Sequence, residues 1–223
     1  MNIIKRFLPR GVASLAAAAL TVGALLSAPA ALAVTAPDEV VRTASNDLQS
    51  DISKNVAKYQ SDKNAFYAMV DTRIQQYFDT QYIAQLILAR NWQTATPDQR
   101  KRFEVAFKNM LIRSYADALL QYHDSVKAEI KPAQMAADAK KATVNSSLIR
   151  KDGPPIPLSF DMRLKDGDSG WKVYDIKVGG VSLVTTYRET FASEVRERGV
   201  DGLIKTLAGK NRQSDAKFEA SKT

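Results

Sequence analysis

The chain of 223 residues has no cysteine and a single histidine. It therefore has no disulfide, no thiol nucleophile and no thiolate metal ligand. The lone histidine, His123, follows a helical stretch, where a structural or merely exposed imidazole is the ordinary reading and a general base the rare one. No glycine-rich loop opens a helix to cradle phosphate, and no G-x-S-x-G elbow is present. Charges are scattered without blocks of one sign, and aromatic and basic residues do not interleave as in single-strand binders, so nucleic acid is not an expected partner. Past residue 33 no apolar run is long enough to span a bilayer. Asp161 and Asp175 fall on neighbouring strands and are the one conceivable acid/base pair, but Asp161 lies in the polar register of its strand. The expectation is no enzyme, no catalytic residue, no metal and no cofactor.

What is present begins with an export signal. Lys5, Arg6 and Arg10 form a positive segment, Val12 to Leu26 an apolar one, and Ala31-Leu32-Ala33 a small-x-small cleavage site. Residues 1–33 are expected to be a cleaved signal peptide, and the chain an exported protein of the periplasm. Without a cysteine after the signal there is no lipid attachment point, so the product is expected to be soluble. Losing the three basic residues of the signal leaves 29 basic side chains of the original 32 against 24 acidic, a mildly positive surface suited to anionic partners. The remaining length is ample for one domain built around its own core.

The hydrophobic period divides that domain. Pro37-Asp38-Glu39 opens a helix that continues through Val41, Ala44, Leu48 and Ile52 at helical spacing. Further helices are expected over residues 64–77 and 80–89. Thr96-Pro97-Asp98-Gln99 is a capping-box pattern, and the helix behind it runs to about Tyr122. Its buried stripe is expected to be Phe103, Ala106, Phe107, Met110, Leu111, Tyr115, Ala118 and Leu119. After His123 the period changes to two. Strands are expected at Val126–Ile130, Ala142–Arg150, Ile156–Leu164 and Trp171–Val178, with a turn at Asp166-Gly167-Asp168-Ser169-Gly170. A helix from Leu183 to Arg198 ends at Gly199, a short one covers Val200 to Leu207, and residues 209–223 read as a frayed, disordered tail. The fold class is α+β: a helical N-terminal half and C-terminal helices packed on a four-stranded antiparallel sheet.

The stretch Gly170 to Leu207, GWKVYDIKVGGVSLVTTYRETFASEVRERGVDGLIKTL, resembles the C-terminal signature of the MlaC, or toluene-tolerance, family. Met69-Val70-Asp71, Tyr77-Phe78-Asp79, Asn91-Trp92, Ala95 to Arg100 and Phe103 to Tyr115 resemble the family's earlier landmarks in order. The likeness covers nearly all of Pro37 to Leu207. One departure stands out: the family commonly has an acid before Gly-Val-Ser, where this chain has Gly179.

That resemblance implies a cone-shaped, NTF2-like fold of the MlaC type and a single lipid-binding domain over residues 34–208. It implies a monomeric periplasmic carrier holding phospholipid as ligand and maintaining outer-membrane lipid asymmetry. The partners would be an outer-membrane lipoprotein-porin complex and an inner-membrane ABC transporter with its substrate-capturing ring. On this reading Phe107, Met110, Leu111, Phe160, Met162, Tyr174, Ile176, Val184 and Tyr187 would wall the lipid pocket. Arg163, Lys165 and Arg188 would be rim residues for a headgroup or a partner. Periodicity alone equally permits a filled core, hence a ligand-free adaptor or chaperone. A pocket enzyme of the isomerase or dehydratase type would need Asp161, Asp175 or His123 inside the cone.

Overall fold

The computed structural model describes residues 34–136, 138–151, 153–165 and 170–220, with side chains as far as 216. The expected signal peptide, residues 1–33, and residues 166–169 of the expected turn lie outside them. The described elements are α1 (Pro37–Ser61), α2 (Lys63–Tyr77), α3 (Thr80–Leu88), α4 (Arg90–Thr94), α5 (Pro97–Tyr122), β1 (Val126–Ile130), β2 (Lys141–Arg150), β3 (Ile156–Leu164), β4 (Trp171–Val178), β5 (Val181–Ser182) and α6 (Leu183–Ala220).

Helix starts follow local chemistry. Asp62 accepts from the Ala65 amide at 3.0 Å and Asp79 from the Tyr82 amide at 3.2 Å, capping α2 and α3. Ahead of α5 the expected capping box is complete: Gln99 donates its amide to Thr96 Oγ1 at 3.2 Å, and Thr96 donates its own to Gln99 Oε1 at 2.9 Å. Thr96→Ala removes an acceptor from this pair and is expected to cost about 1 kcal/mol. A lower urea midpoint with an unchanged slope would register it.

The buried stripe of α5 differs from expectation beyond Met110. Ile112, Ala116 and Leu120 are buried, whereas Tyr115 and Ala118 are exposed and Leu111 and Leu119 half-buried. The reason is that α5 packs in two directions. Its first half faces α3 and α6 through Phe103, Ala106, Phe107 and Met110, and its second half turns Ile112, Ala116 and Leu120 toward Ile52 and Tyr59 of α1 and Phe66 of α2. A single periodic stripe cannot serve two neighbours, so another row of apolar side chains is left unburied.

The sheet is antiparallel throughout, in the order β1-β2-β3-β4-β5. Gly179 and Gly180, at φ 57° and 84°, form a two-residue turn that adds β5 to the four strands expected, pairing Val178 with Val181. Positive φ at both centres is the turn a right-twisted hairpin favours, and glycine enters it without strain. An acid at Gly179 would be strained here. A bulge interrupts the β3–β4 ladder: Asp161 faces Asp175 and Met162 faces Val173, leaving Tyr174 unpaired.

Residues 209–220, expected as a frayed tail, continue α6 instead. Gly199, at φ 69°, bends the helix without ending the secondary structure. Leu203 and Leu207 are buried beyond the bend, Arg113 binds Asp215 through two hydrogen bonds of 2.7 and 3.1 Å, and Asn211 donates to the Ala106 carbonyl at 3.1 Å. The polar composition that suggested fraying is used to fasten the helix along α5.

Candidate ligand-binding site

Apolar residues of the helical layer and of the sheet do not merge into one core. On the helical side Phe103, Phe107, Tyr187 and Phe191 interlock, with Phe107 set edge-on to Tyr187 at 5.0 Å and to Phe191 at 6.0 Å. On the sheet a separate cluster joins Val41 of α1 to Val144, Met162, Trp171 and Val173. Helices α1, α2, α3 and α6 pack against strands, while α5 packs chiefly against other helices.

Register places Leu148, Ile156, Leu158, Phe160, Ile176 and Val178 on the same sheet face as the fully buried Val144 and Met162. Burial falls along that face. Met162 and Val144 are at 0% exposure, Phe160, Leu158 and Ile176 are half-buried, and Val178 is 41% exposed. The face is therefore closed at the Trp171 end by α1 and open at the Val178 end. On α5 the row left unburied is Leu111, Tyr115, Ala118 and Tyr122, with Tyr115 at 45% and Tyr122 at 50%. Tyr187 shares a hydrogen bond with Tyr115, and burial together with that bond pushes its phenol up to about 12, so it stays neutral at any ordinary pH. Two apolar rows thus remain uncovered, one on the sheet and one on α5, on elements that do not close on each other.

Of the residues singled out from sequence, Phe107, Met110, Leu111, Val184 and Tyr187 share the helical cluster, and Phe160, Met162 and Ile176 share the sheet cluster. Tyr174 joins neither: freed by the bulge, it packs edge-on to Tyr82 at 5.5 Å and borders a cleft with Asp161 and Lys177. Arg163 lies 3.6 Å from Asp79 and 4.4 Å over the Tyr82 ring, tying the sheet to α3. Lys165 is half-buried just past the end of β3, and Arg188 is exposed on α6. Sequence reading missed Leu148, Leu158 and Tyr122. Strand alternation already placed Leu148 and Leu158 on the apolar face, but their partial exposure depends on what covers them.

The residues weighed for catalysis are in structural use. Asp175 accepts from Ser182 Oγ at 2.5 Å and from the Val184 amide at 3.0 Å, capping α6. Asp161 pairs with Lys177 at 2.8 Å and accepts from Thr143 Oγ1 at 2.8 Å. His123 Nδ1 meets the Leu120 carbonyl at 2.8 Å and Nε2 meets Asp124 at 3.0 Å, at the end of α5. Among the described residues no cluster of His, Asp and Glu could hold a metal ion, and no helix is long and apolar enough to cross a membrane.

A family model described as MlaC protein matches residues 42–209. The toluene tolerance protein ttg2D of Pseudomonas putida is 31% identical over 179 residues, covering 80% of this chain and 81% of that protein. The intermembrane phospholipid transport system binding protein MlaC of Haemophilus influenzae is 28% identical over 182 residues, covering 81% and 85%. Among solved structures, the phospholipid-binding protein from Ralstonia solanacearum in complex with a phospholipid superposes with a TM-score of 0.73 at 31% identity, covering 81% of this chain and 99% of that one.

Proposed function

The chain belongs to the MlaC protein family, and from that premise we propose that it is a periplasmic phospholipid carrier rather than an enzyme. Acyl chains lie between the sheet and α5, with the headgroup toward the Val178 end. The observation that carries this reading is the pair of incompletely covered apolar rows: Leu158, Phe160 and Ile176 on the sheet, and Leu111 and Tyr115 on α5 with Tyr187 beside them. Met162 and Phe107, which are buried, serve as backing for the wall rather than its surface.

The energetics suit a carrier. Each buried CH₂ is worth about 0.8 kcal/mol, so a lipid with about 30 methylenes costs on the order of 20 kcal/mol to hold in water. A cavity as dry as the bilayer makes transfer nearly balanced, and direction then comes from the complexes at either membrane. These are the outer-membrane lipoprotein-porin complex and the inner-membrane ABC transporter with its capturing ring. Few polar groups line the two rows, so selectivity among headgroups is expected to be weak.

Native mass spectrometry of the purified mature chain tests the reading. A mass increment equal to one or more phospholipids, removable by organic extraction, is the expected result. A lipid-free protein whose near-ultraviolet spectrum is unchanged after incubation with phospholipid would favour a filled core and an adaptor.

A further inference from the structure

A cavity lies between the α3–α4 junction and α6 and is lined by residues of both. It encloses about 300 Å³ and is floored by Ile87, Leu88, Phe191 and Val195. Its rim carries three arginines, Arg90, Arg188 and Arg196. The junction is held in an uncommon backbone conformation: Ala89, at φ 49° and ψ −121°, is the one non-glycine residue with positive φ among the described residues. Such a conformation is strained for a residue with a Cβ and persists only where its surroundings enforce it. Here it ends α3 abruptly and sets Arg90 at the mouth opposite α6.

The charges on this rim are not neutralised from within. Arg73, Arg102, Arg113 and Arg163 each meet a carboxylate. Arg90 and Arg196 have no such partner among the described residues, and Arg188 reaches only the Thr185 hydroxyl at 3.4 Å. Glu194, the half-buried acid of α6 between Leu183 and Arg198, accepts from Thr206 and lies 4.0 Å from Arg198. Arg188 and Arg196 are two helical turns apart, roughly 12 Å, and bracket Ala192 and Val195 on one face. A cationic ring around an apolar floor is complementary to an anionic ring around an apolar knob.

We infer that this pocket docks an acidic protein segment that inserts one large apolar side chain and sets flanking carboxylates against Arg90, Arg188 and Arg196. A lipid is a poor occupant by volume. Taking a methylene as similar in size to a water, roughly 30 Å³, two acyl chains need roughly 900 Å³. A single Phe or Leu side chain suits the available space. Guanidinium forks recognise carboxylates bidentately, and an aliphatic floor excludes the water that would screen them.

The test uses the mature chain and a blocked fluorescent peptide, Asp-Glu-Glu-Phe-Glu-Asp, with binding read by anisotropy and backbone amide shifts. Expected are saturable binding, shifts confined to residues 87–91 and 188–196, and at least tenfold weaker affinity when the peptide Phe becomes Ser. Ala192→Trp, which fills the cavity from an exposed helix position, and the pair Arg90→Glu with Arg196→Glu should each weaken binding at least tenfold, without changing bound phospholipid or the melting temperature. Equal affinity for the Ser peptide, or indifference to Ala192→Trp, would reduce the feature to a basic surface and overturn the inference. Vesicles of phosphatidylglycerol that bind through the same arginines and displace the peptide would likewise overturn it, in favour of a membrane surface.

Discussion

Leu158→Glu is expected to empty the protein of phospholipid while leaving it folded. Leu158 is half-buried on the open part of the sheet face, so a carboxylate there can reach water when the cavity is vacant. With acyl chains in place the same carboxylate is desolvated, at a cost of several kcal/mol. A penalty of about 3 kcal/mol weakens lipid binding roughly a hundredfold, enough to lose it on purification. Leu111→Glu, on the α5 row, should behave alike. Lipid extraction with phosphate quantitation, beside a melting curve, reads both effects, and full lipid content in both variants would refute the proposed wall. Met162→Glu is a poorer probe than strand alternation suggests: at 0% exposure beneath α1, it would unfold the sheet first. Val184→Glu is similarly compromised, because it sets a second carboxylate against Asp175 at the start of α6.

Asp175→Ala is expected to destabilise the fold by about 3 kcal/mol. The buried carboxylate receives two hydrogen bonds, from Ser182 Oγ and the Val184 amide, at the positive end of α6. Bonds to a charged acceptor contribute about 1.5–3 kcal/mol each, and truncation leaves the amide of a buried residue unsatisfied. Asp175→Asn keeps an acceptor and should lose about half as much. Guanidinium or urea denaturation separates the two. Because Val184 and Tyr187 are aimed by the first turns of α6, Asp175→Ala should also shed lipid more readily, whereas Thr96→Ala, at the far end of α5, should not. The strand residue thus fixes the direction in which the following helix leaves the sheet.

Much of this architecture is legible in the chain itself. Local rules operate within a few residues, so the Thr96–Gln99 box, the alternation of Ile156–Leu164, the Gly179-Gly180 turn and the order of elements can all be read from it. Order, landmarks and spacing together also identify the MlaC resemblance, which the family match over residues 42–209 bears out. Tyr174 shows the limit: one unpaired residue in the β3–β4 ladder moved it out of the expected wall, and no local signal marks a bulge. The tail beyond Gly209 shows another, since its helix depends on Asp215 meeting an arginine 102 positions earlier.

By its sequence alone the chain determined which side chains are apolar and on which face of each element they fall, because periodicity is a property of the backbone's own geometry. Only the tertiary structure decided which of those faces are covered. Val144 and Leu158 belong to one face of one sheet, yet the first is sealed beneath α1 and the second is left open. Burial is set by what packs over each face, and α5 packs on α1, α2, α3 and α6 instead of on the sheet.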